Sequence, residues 1–276
     1  MATGWTELAH GCFVRRYDSF DLSCGVVAGG EGLLIVDSRV SAVEGAELAR
    51  HVRELSSLPV NVVVNTHVHF DHTFGNGALR QAWAGVQLVA HESVPVAMTE
   101  HEARIKQLNT DDVHDTLRDD VLATEVVPPD TVFSSLWSVD LGDRVVEVVY
   151  PGRGHTDGDV VIRVPDSDVA YAGDLVEESG PLSYGPDCWP LEWPQTLELL
   201  IGLLGPETVV VPGHGAPVDK QFVLEQRADA AAIAGQVHQL ATAGVAVDEA
   251  AQRGTWPYAT ERLVQAVRRG YSHLSR

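Results

Sequence analysis

The amino-acid sequence predicts an α/β fold, in the broad sense that includes α+β arrangements. Short apolar runs rich in β-branched residues alternate with helical patterns over residues 24–91, which is typical of a sheet with packed helices. The chain has 276 residues and 45% hydrophobic content, enough for one large domain with a substantial core. No run approaches the roughly 18 to 20 apolar residues that a membrane-spanning helix needs.

The first elements follow one another closely. Residues 24–40, CGVVAGGEGLLIVDSRV, predict two strands joined by a Gly-rich hairpin. A helical pattern follows at residues 41–57, where Ser41 is a suitable N-cap, and Pro59 ends it. An apolar strand, a short helix and a second strand come next, at residues 60–65, 77–83 and 86–91.

Residues 93–125 differ from what surrounds them because they are polar, acidic and prone to form helices. We expect a helical insertion here, and the sequence leaves open whether it forms a lid. Strands resume at 131–152, at 159–174 and at 207–215. We therefore expect a catalytic domain at residues 1–218 and a C-terminal helical extension at residues 219–276 that packs on the same domain.

Charge and cysteine content restrict the classes of partner. Acidic residues outnumber basic ones by 39 to 19, which gives a formal charge of −20 and disfavours binding to nucleic acid. The three cysteines, Cys12, Cys24 and Cys188, are scattered, and residues 1–18 show no secretory pattern. We expect a cytoplasmic protein with a small-molecule substrate and no membrane partner, for which a homo-oligomer remains an option.

A dense group of metal-binding residue types follows the strand at residues 60–65. The stretch NTHVHFDHTFGN, residues 65–76, contains His67, His69, Asp71 and His72. His67 and His69 are two positions apart, so on extended backbone their side chains point to the same side. Imidazole nitrogens and carboxylate oxygens bind zinc at about 2.0–2.2 Å. The stretch therefore predicts part of a metal site.

Three further candidates lie after other strands or Gly-rich turns. His155 stands in PGRGHTDGD, Asp174 in YAGDLV and His214 in VPGHGAP. Small neighbouring residues allow the backbone to come close to an ion. With the first group they make seven donors, enough for two metal ions that share Asp174, with a water or hydroxide between them.

The motifs H-x-H-x-D-H, G-H-T, G-D and G-H-G, in this order, resemble the metallo-β-lactamase superfamily. The resemblance covers about residues 20–220 and includes LLIVDS, with a strand that ends in Asp37. It implies a four-layer αββα sandwich, followed here by C-terminal helices, with metals at one edge between the sheets. It also implies that Asp174 bridges two metals, one held by His67, His69 and His155 and the other by Asp71, His72 and His214.

The expected cofactors are two Zn²⁺ ions, although iron or manganese would also suit these ligands. Two zinc ions would lower the pKa of a bridging water, which gives hydroxide at physiological pH. Asp71 would be the catalytic residue that orients the hydroxide and then passes a proton to the leaving group. The predicted reaction is hydrolysis of an ester, thioester, lactone or amide of a small organic substrate.

Asp174 favours one branch of the family over others. Several zinc β-lactamases resembling this pattern have cysteine at that place, whereas aspartate is similar to glyoxalase II-like and lactonase-like hydrolases. A β-lactamase stays an alternative. A persulfide dioxygenase-like enzyme with one iron is a second alternative, and a non-catalytic metal-binding module is a third.

Residues 178–194, ESGPLSYGPDCWPLEWP, are the candidate substrate segment because they carry Tyr184, Trp189 and Trp193 just after Asp174. These aromatic side chains could form an apolar wall for the substrate or could pack under a loop. Asp37 is expected to stabilise a turn or orient a ligand rather than to contact a metal. Ordinary surface or core positions are expected for the remaining histidines: His10, His51, His91, His101, His114, His238 and His273.

Overall fold

This computed structural model describes residues 4–275 of the chain. These residues contain twelve strands and nine α-helices. The strands are β1 (Thr6–Ala9), β2 (Cys12–Tyr17), β3 (Leu22–Ala28), β4 (Leu33–Val36), β5 (Val60–Val64), β6 (Gln87–His91), β7 (Thr131–Phe133), β8 (Leu136–Asp140), β9 (Val145–Val149), β10 (Val161–Val164), β11 (Val169–Glu177) and β12 (Val209–His214). The helices are α1 (Ala42–Leu55), α2 (Phe70–Thr73), α3 (Asn76–Ala82), α4 (Val94–Asp111), α5 (Arg118–Ala123), α6 (Trp193–Leu203), α7 (Lys220–Thr242), α8 (Val247–Arg253) and α9 (Val264–Leu274).

The strands form two halves that meet at one corner. The hydrogen-bonded order is β7-β6-β5-β4-β3-β12-β11-β10-β9-β8, and β2 pairs with both β3 and β1. The halves are joined where β3 pairs with β12 at Leu22 and His214, and the Gly215 backbone N–H donates to the Asp21 carbonyl at 2.9 Å beside them. A predicted metal-site residue thus stands at the junction itself, between the half that contains β1–β7 and the half that contains β8–β12.

Successive side chains of the strands point alternately to two faces, and this divides the apolar core into layers. In β4, Leu34 and Val36 belong to the apolar cluster between the two halves, together with Ile162 and Tyr171 of the other half. Their neighbours Leu33 and Ile35 pack on the opposite face, in the cluster that contains α1. Since successive side chains of a strand point to opposite faces, each half has one face toward the other half and one toward helices. The expected four-layer αββα class is confirmed.

The outer layers hold the helices. One face of the β1–β7 half packs against α1 and α3, through residues such as Leu48 and Leu79. The corresponding face of the other half packs against α6 and α7, where Leu197 and Ile233 are fully buried. The burial of these apolar faces is the main favourable term that holds the layers together, at about 25 cal/mol per Å².

Several elements agree with the sequence-based expectations. The hairpin at residues 24–40 is present as the antiparallel pair β3 and β4. Helix α1 begins after Ser41, whose hydroxyl accepts a hydrogen bond from the backbone N–H of Glu44 at 3.2 Å. The C-terminal helices are interrupted at Gly244 and at residues 254–259, close to the predicted breaks. The assignment of residues 1–218 and 219–276 to a domain and an extension stays a prediction.

Other elements were missed. The pair β1 and β2 and the helix α6 have no counterpart in the sequence-based prediction, and β11 continues to Glu177 instead of ending at Asp174. Strand β2, CFVRRY, buries Cys12, Val14 and Tyr17 without a regular alternation, and its two adjacent arginines are more typical of a polar turn. Among residues 4–275, the structure contains no helix with the length and apolar character needed to cross a membrane.

Each of the three cysteine thiols is buried in a different apolar layer. Cys12 is buried between the two halves, Cys24 lies in the layer next to α1, and Cys188 lies in the layer next to α6. Burial raises the pKa of the Cys24 thiol to about 12, so the reactive thiolate is rare at neutral pH. We expect no thiol to react with a disulfide reagent in the native protein, and all three to react after denaturation. Fast labelling of one cysteine in the native state, located by peptide mapping, would show that its layer is open.

Candidate metal centre

The seven predicted donors come from four separate parts of the fold. Those of the motif H-x-H-x-D-H follow β5 and continue into the short helix α2. His155 lies in the loop between β9 and β10, Asp174 lies within β11, and His214 is the last residue of β12. A Cβ on Gly213 would overlap Asp174 Oδ1, so glycine is needed where β12 passes that carboxylate.

One cluster is formed by His67, His69, His155 and Asp174. Their donor atoms all lie within 4.8 Å of one another. His155 Nε2 lies 2.8 Å from His69 Nδ1 and 3.3 Å from Asp174 Oδ2. His67 Nε2 lies 3.8 Å from the same carboxylate oxygen. Three imidazoles and one carboxylate are therefore directed at one point.

A second cluster, formed by Asp71, His72 and His214, lies on the other side of Asp174. Its donor atoms also lie within 4.8 Å of one another. His214 Nε2 is 3.3 Å from both His72 Nε2 and Asp71 Oδ2. Asp174 joins the clusters, because its Oδ1 lies 3.2 Å from His72 Nε2 and its Oδ2 lies 3.4 Å from His214 Nε2. The geometry thus brings together all seven residues that the sequence singled out.

The spacing of these atoms fits metal ligands. Atoms bound tetrahedrally at about 2.0–2.1 Å from one zinc ion stand about 3.3 Å apart. Several of the distances above, from 3.2 to 3.4 Å, have this value. Within residues 4–275, His67 Nε2 and Asp174 Oδ1 are also buried polar atoms without a hydrogen-bond partner. Such atoms are costly to bury unless an ion or another polar group satisfies them.

Hydrogen bonds on the outer side of the rings determine which nitrogen carries the proton. His155 Nδ1 donates to the carbonyl of Ser183 at 2.9 Å, and His214 Nδ1 donates to the carbonyl of Phe20 at 2.7 Å. His72 Nδ1 donates to Asp37 Oδ2 at 2.8 Å. A carbonyl or carboxylate oxygen can only accept, so in the neutral form of each ring, which is the form that binds a metal, the lone pair of the opposite nitrogen is directed inward.

In the pair His69 and His155, these outer hydrogen bonds leave two unprotonated ring nitrogens facing each other. His69 Nε2 donates to Asp187 Oδ2 at 2.9 Å, which leaves the lone pair on His69 Nδ1. That nitrogen faces the lone pair of His155 Nε2 at 2.8 Å. Two lone pairs at this distance repel unless a proton or a cation is bound between them. The residues present therefore fit a metal ion, and their outer partners orient them for it.

Negative charge dominates the centre. Burial by itself raises the pKa of Asp174, but the positive charges of His214 and His72 hold it well below its usual range. Burial lowers the pKa of His214, and the carboxylates of Asp174 and Asp71 outweigh this effect and raise it to about 11. The same field that makes the imidazoles basic stabilises any cation at this point.

Asp37 has an orienting role. It is buried and its backbone has a φ of 64°, a left-handed conformation that aspartate tolerates better than most residues. Its two oxygens accept hydrogen bonds from the Thr66 backbone N–H at 2.8 Å and the Thr66 hydroxyl at 2.9 Å, besides the one from His72. It thus fixes both the start of the motif and one ring of the second cluster.

Two residues beside His69 were missed by the sequence analysis. Asp187 accepts its hydrogen bond across 118 positions of sequence, and His101 stacks on its ring with the centroids 4.9 Å apart. Asp187 lies in the segment suspected of binding substrate, but no motif marks it. His101 was counted among the ordinary histidines, since nothing local distinguishes it.

The three aromatic candidates occupy different environments. Trp193 is 0% exposed, and its indole N–H donates to the Leu175 carbonyl at 3.3 Å, so it belongs to the core. Tyr184 is buried against it, with the ring centroids 5.0 Å apart. Trp189 is half-buried and lines a cavity of about 380 Å³ that also borders Asp187 and His101. The packing alternative thus describes the first two, and a substrate contact stays a prediction for Trp189.

Comparison with known proteins identifies the family of this chain. The family model described as the metallo-β-lactamase superfamily matches residues 20–230. The chain belongs to this superfamily. The superfamily is hydrolytic and binds metal ions, and the two clusters of this chain are able to hold metal.

Curated relatives have low sequence identity to this chain. A metallo-β-lactamase type 2 from Bacillus cereus is 27% identical over 196 residues, which cover 70% of this chain and 67% of that protein. A second metallo-β-lactamase type 2, from Bacillus sp. (strain 170), is 25% identical, and this chain covers 66% of its length. The human acyl-coenzyme A thioesterase MBLAC2 is 24% identical over 207 residues, with 70% of each chain covered. This chain thus spans only about two thirds of the length of these relatives.

Solved structures agree on the fold. A metallo-β-lactamase from Pontibacter korlensis superposes with a TM-score of 0.62 at 23% identity, over 81% of this chain and 96% of that one. The metallo-β-lactamase FIM-1 from Pseudomonas aeruginosa, in its mono-zinc form, gives a TM-score of 0.65 at 16% identity, over 82% and 93%. The glyoxalase II-like or lactonase-like branch stays a prediction.

We expect Asp187 to raise the affinity for metal by holding His69. Replacement Asp187→Asn removes the negative charge next to the imidazole N–H and should weaken zinc binding by about 10- to 100-fold. The measurement is competition with a chromophoric chelator. Glu192→Gln is the matched control, because Glu192 lies in the same segment and pairs with Arg153 rather than with a histidine. Equal zinc affinity in wild type and Asp187→Asn would contradict the role.

Proposed function

We propose that this chain is a dinuclear metal-dependent hydrolase, with zinc as the preferred metal, that attacks the carbonyl of an ester, thioester, lactone or amide. The observation that carries the proposal is the position of Asp174 between the two clusters of donors. Its Oδ2 lies 3.3 Å from His155 Nε2 and 3.4 Å from His214 Nε2, and its Oδ1 lies 3.2 Å from His72 Nε2. Bound divalent ions supply Lewis acidity and lower the pKa of water, which permits hydrolysis near neutral pH.

Asp71 is the proposed catalytic side chain. It is buried, and its Oδ2 lies 3.4 Å from His72 Nε2 and 3.3 Å from His214 Nε2. Burial raises the pKa of Asp71, but the charge of His72 and the hydrogen bond from His214 lower it well below its usual range. The carboxylate is therefore ionised at neutral pH, as required of a group that accepts a proton from water and passes it to the leaving group.

The surroundings of the clusters favour chemistry on a small molecule. His67 and His72 are fully buried, whereas the side chains of His69, Asp71 and His214 are 14%, 11% and 10% exposed, so the centre is accessible along the edge that these three residues form. The cavity that borders Asp187 lies at the His69 end of this edge. A substrate held there would present its carbonyl to the clusters while the buried histidines keep bulk water from the opposite side.

The choice among acyl substrates is open to experiment. The Bacillus cereus relative is called a β-lactamase and the human relative an acyl-coenzyme A thioesterase, so β-lactams and thioesters belong in the substrate panel with lactones and simple esters. A cytoplasmic location and a lack of nucleic-acid partners stay predictions from the sequence.

The dinuclear site predicts the metal content of the purified protein. We expect two zinc ions per chain in the wild type and one after His214→Ala, because this change removes a donor from the second cluster only. Elemental analysis by mass spectrometry measures the content. His91→Ala should retain two ions, since His91 is a buried histidine outside both clusters, stacked on Tyr150.

One iron per chain, with oxygen uptake in place of hydrolysis, would favour the persulfide dioxygenase-like alternative. Two ions without turnover of any substrate in the panel would favour the non-catalytic module.

The role of Asp71 predicts a loss of turnover. Asp71→Asn should lower kcat by about 10²- to 10⁴-fold on whichever acyl substrate the wild type hydrolyses, because the amide cannot take up the proton. Steady-state kinetics on the metal-loaded protein measures the change. Asp119→Asn removes the same charge from a side chain that is 92% exposed and should leave kcat unaltered. An unchanged kcat in Asp71→Asn would exclude the proposed mechanism.

A further inference from the structure

The loop between β11 and α6, residues 178–192, holds two of the three histidines of the first cluster from outside. The Ser183 carbonyl accepts from His155 Nδ1 at 2.9 Å, and Asp187 Oδ2 accepts from His69 Nε2 at 2.9 Å. We call this segment the acceptor loop. Because outer hydrogen bonds orient the rings of metal ligands, the position of this one loop affects two donors of the same cluster.

The two parts of the acceptor loop are held by different elements. In the first part, Leu182 and Tyr184 are buried in the apolar cluster that includes α6. In the second part, the side chain of Asp187 is 35% exposed, and the next residue, Cys188, is buried. The cluster that contains Cys188 also includes Ala266 of α9. The last helix of the chain therefore takes part in covering the part of the loop that carries Asp187.

Arg269 of α9 attaches this helix to the loop backbone. Its Nε donates to the Cys188 carbonyl at 3.0 Å. A hydrogen bond from a charged donor is stronger than one between neutral groups. Since the carbonyl belongs to the residue directly after Asp187, the arginine fixes the backbone that carries the carboxylate.

Trp189 is a second point of attachment. The ring of His273, also on α9, stacks on the indole with the centroids 4.4 Å apart and an angle of 17° between the planes. The guanidinium carbon of Arg153 lies 3.8 Å from the centre of the indole, and Arg153 is held by Glu192 through two hydrogen bonds of 2.9 Å. Both faces of the indole are thus covered, and only its edge can border the cavity.

The helix comes close to the loop along one face. A Cβ on Gly270 would lie 2.6 Å from Val237 Cγ1 of α7 and 3.4 Å from Leu191 Cδ2 of the acceptor loop. Glycine therefore permits α9 to pack against both elements at once. The residues of α9 named so far are spaced by three or four positions, which places them on one face of a helix: Ala266, Arg269, Gly270 and His273.

We propose that α9 sets the affinity of the first cluster for metal through the acceptor loop. Arg269 and His273 are positioning residues that hold the loop, and the loop holds Asp187 against His69. Coupling of this kind is reciprocal, so a metal bound by His69 stabilises the docking of α9 by the factor by which docking raises the affinity. The proposal concerns metal binding alone and does not require hydrolysis.

The charge of Arg269 by itself predicts the opposite effect. Arg269 and Asp187 border the same cavity, and Asp187 contacts His69. Loss of a positive charge at this distance would strengthen the binding of a cation. Loss of the positioning contact would weaken it. The sign of the change in zinc affinity therefore decides between charge and position.

The first test is the zinc affinity of Arg269→Met, which removes the hydrogen bond and the charge but keeps an unbranched apolar side chain. We expect a loss of about three- to tenfold, smaller than the effect of Asp187→Asn because His69 keeps its acceptor. Competition with a chromophoric chelator measures the affinity. Arg268→Met, which removes the same charge from an exposed neighbour on α9, should bind zinc as the wild type does. An unchanged or higher affinity in Arg269→Met rejects the proposal.

A double-mutant cycle distinguishes positioning from general destabilisation. If Arg269 acts through Asp187, the double variant Arg269→Met/Asp187→Asn should bind zinc with about the affinity of Asp187→Asn alone. If Arg269 only stabilises the fold, the two losses multiply. Multiplied losses would therefore overturn the proposal.

Hydrogen exchange tests the reciprocal effect in the wild type, which needs no variant to fold. Zinc should slow exchange of the Trp189 amide, which donates to the Gly154 carbonyl at 2.8 Å, and of the amides of α9, by about three- to tenfold. The reference is the hairpin of β8 and β9, residues 136–149, whose exchange should not change. No slowing in α9, or equal slowing in the hairpin, would contradict the coupling.

These measurements separate the inference from the proposed hydrolysis. Zinc binding that weakens in Arg269→Met without multiplied losses supports the coupling, even if the wild type cleaves no acyl substrate. Hydrolysis by a wild type whose zinc affinity does not depend on Arg269 rejects the coupling and leaves the hydrolase proposal intact. A wild type that binds no zinc overturns both.

Discussion

Five imidazole rings and two carboxylates turn their unshared electron pairs toward one small buried volume, and hydrogen bonds on the outer side hold the rings in that orientation. His72, His155 and His214 are each locked by an oxygen that can only accept. Repulsion between lone pairs and the burial of carboxylates both oppose folding, so the rest of the structure must overcome them. A bound cation turns the same contacts into stabilising ones, which couples metal binding to folding.

The sandwich supplies the rigidity that this arrangement needs. The outer acceptors come from three separate parts of the chain, namely Phe20, Asp37 and the loop that contains both Ser183 and Asp187. They stay in register because the strands that precede or follow them are buried on both faces, between the other half of the sandwich and a layer of helices. A packed core of this kind deforms little, so ring orientations fixed at its edge are retained.

The two sides of the centre differ in burial and in the elements that surround them. The buried side contains His67, His72 and the acidic Glu177. The open side contains His69, with Asp187 and His101 around it, and continues into a cavity whose wall includes a helix of the acidic insertion and the last helix of the chain. Segments that the family motifs do not include therefore form the wall of this cavity.

The sequence by itself determined the seven clustered donors, the hairpin of β3 and β4 and the cap of α1, because each of these depends on local spacing or periodicity. The four-layer class followed from the resemblance of its motifs to a known family. The sequence did not determine β1, β2 or α6, whose patterns are weak without the layers that bury them. Only the tertiary structure decided that Asp187 and His101 contact His69, that Trp193 and Tyr184 belong to the core, and that Arg269 and His273 contact the loop that carries Asp187. These are contacts between residues that are distant in sequence, and they depend on how the layers pack rather than on the order of residues within any one element.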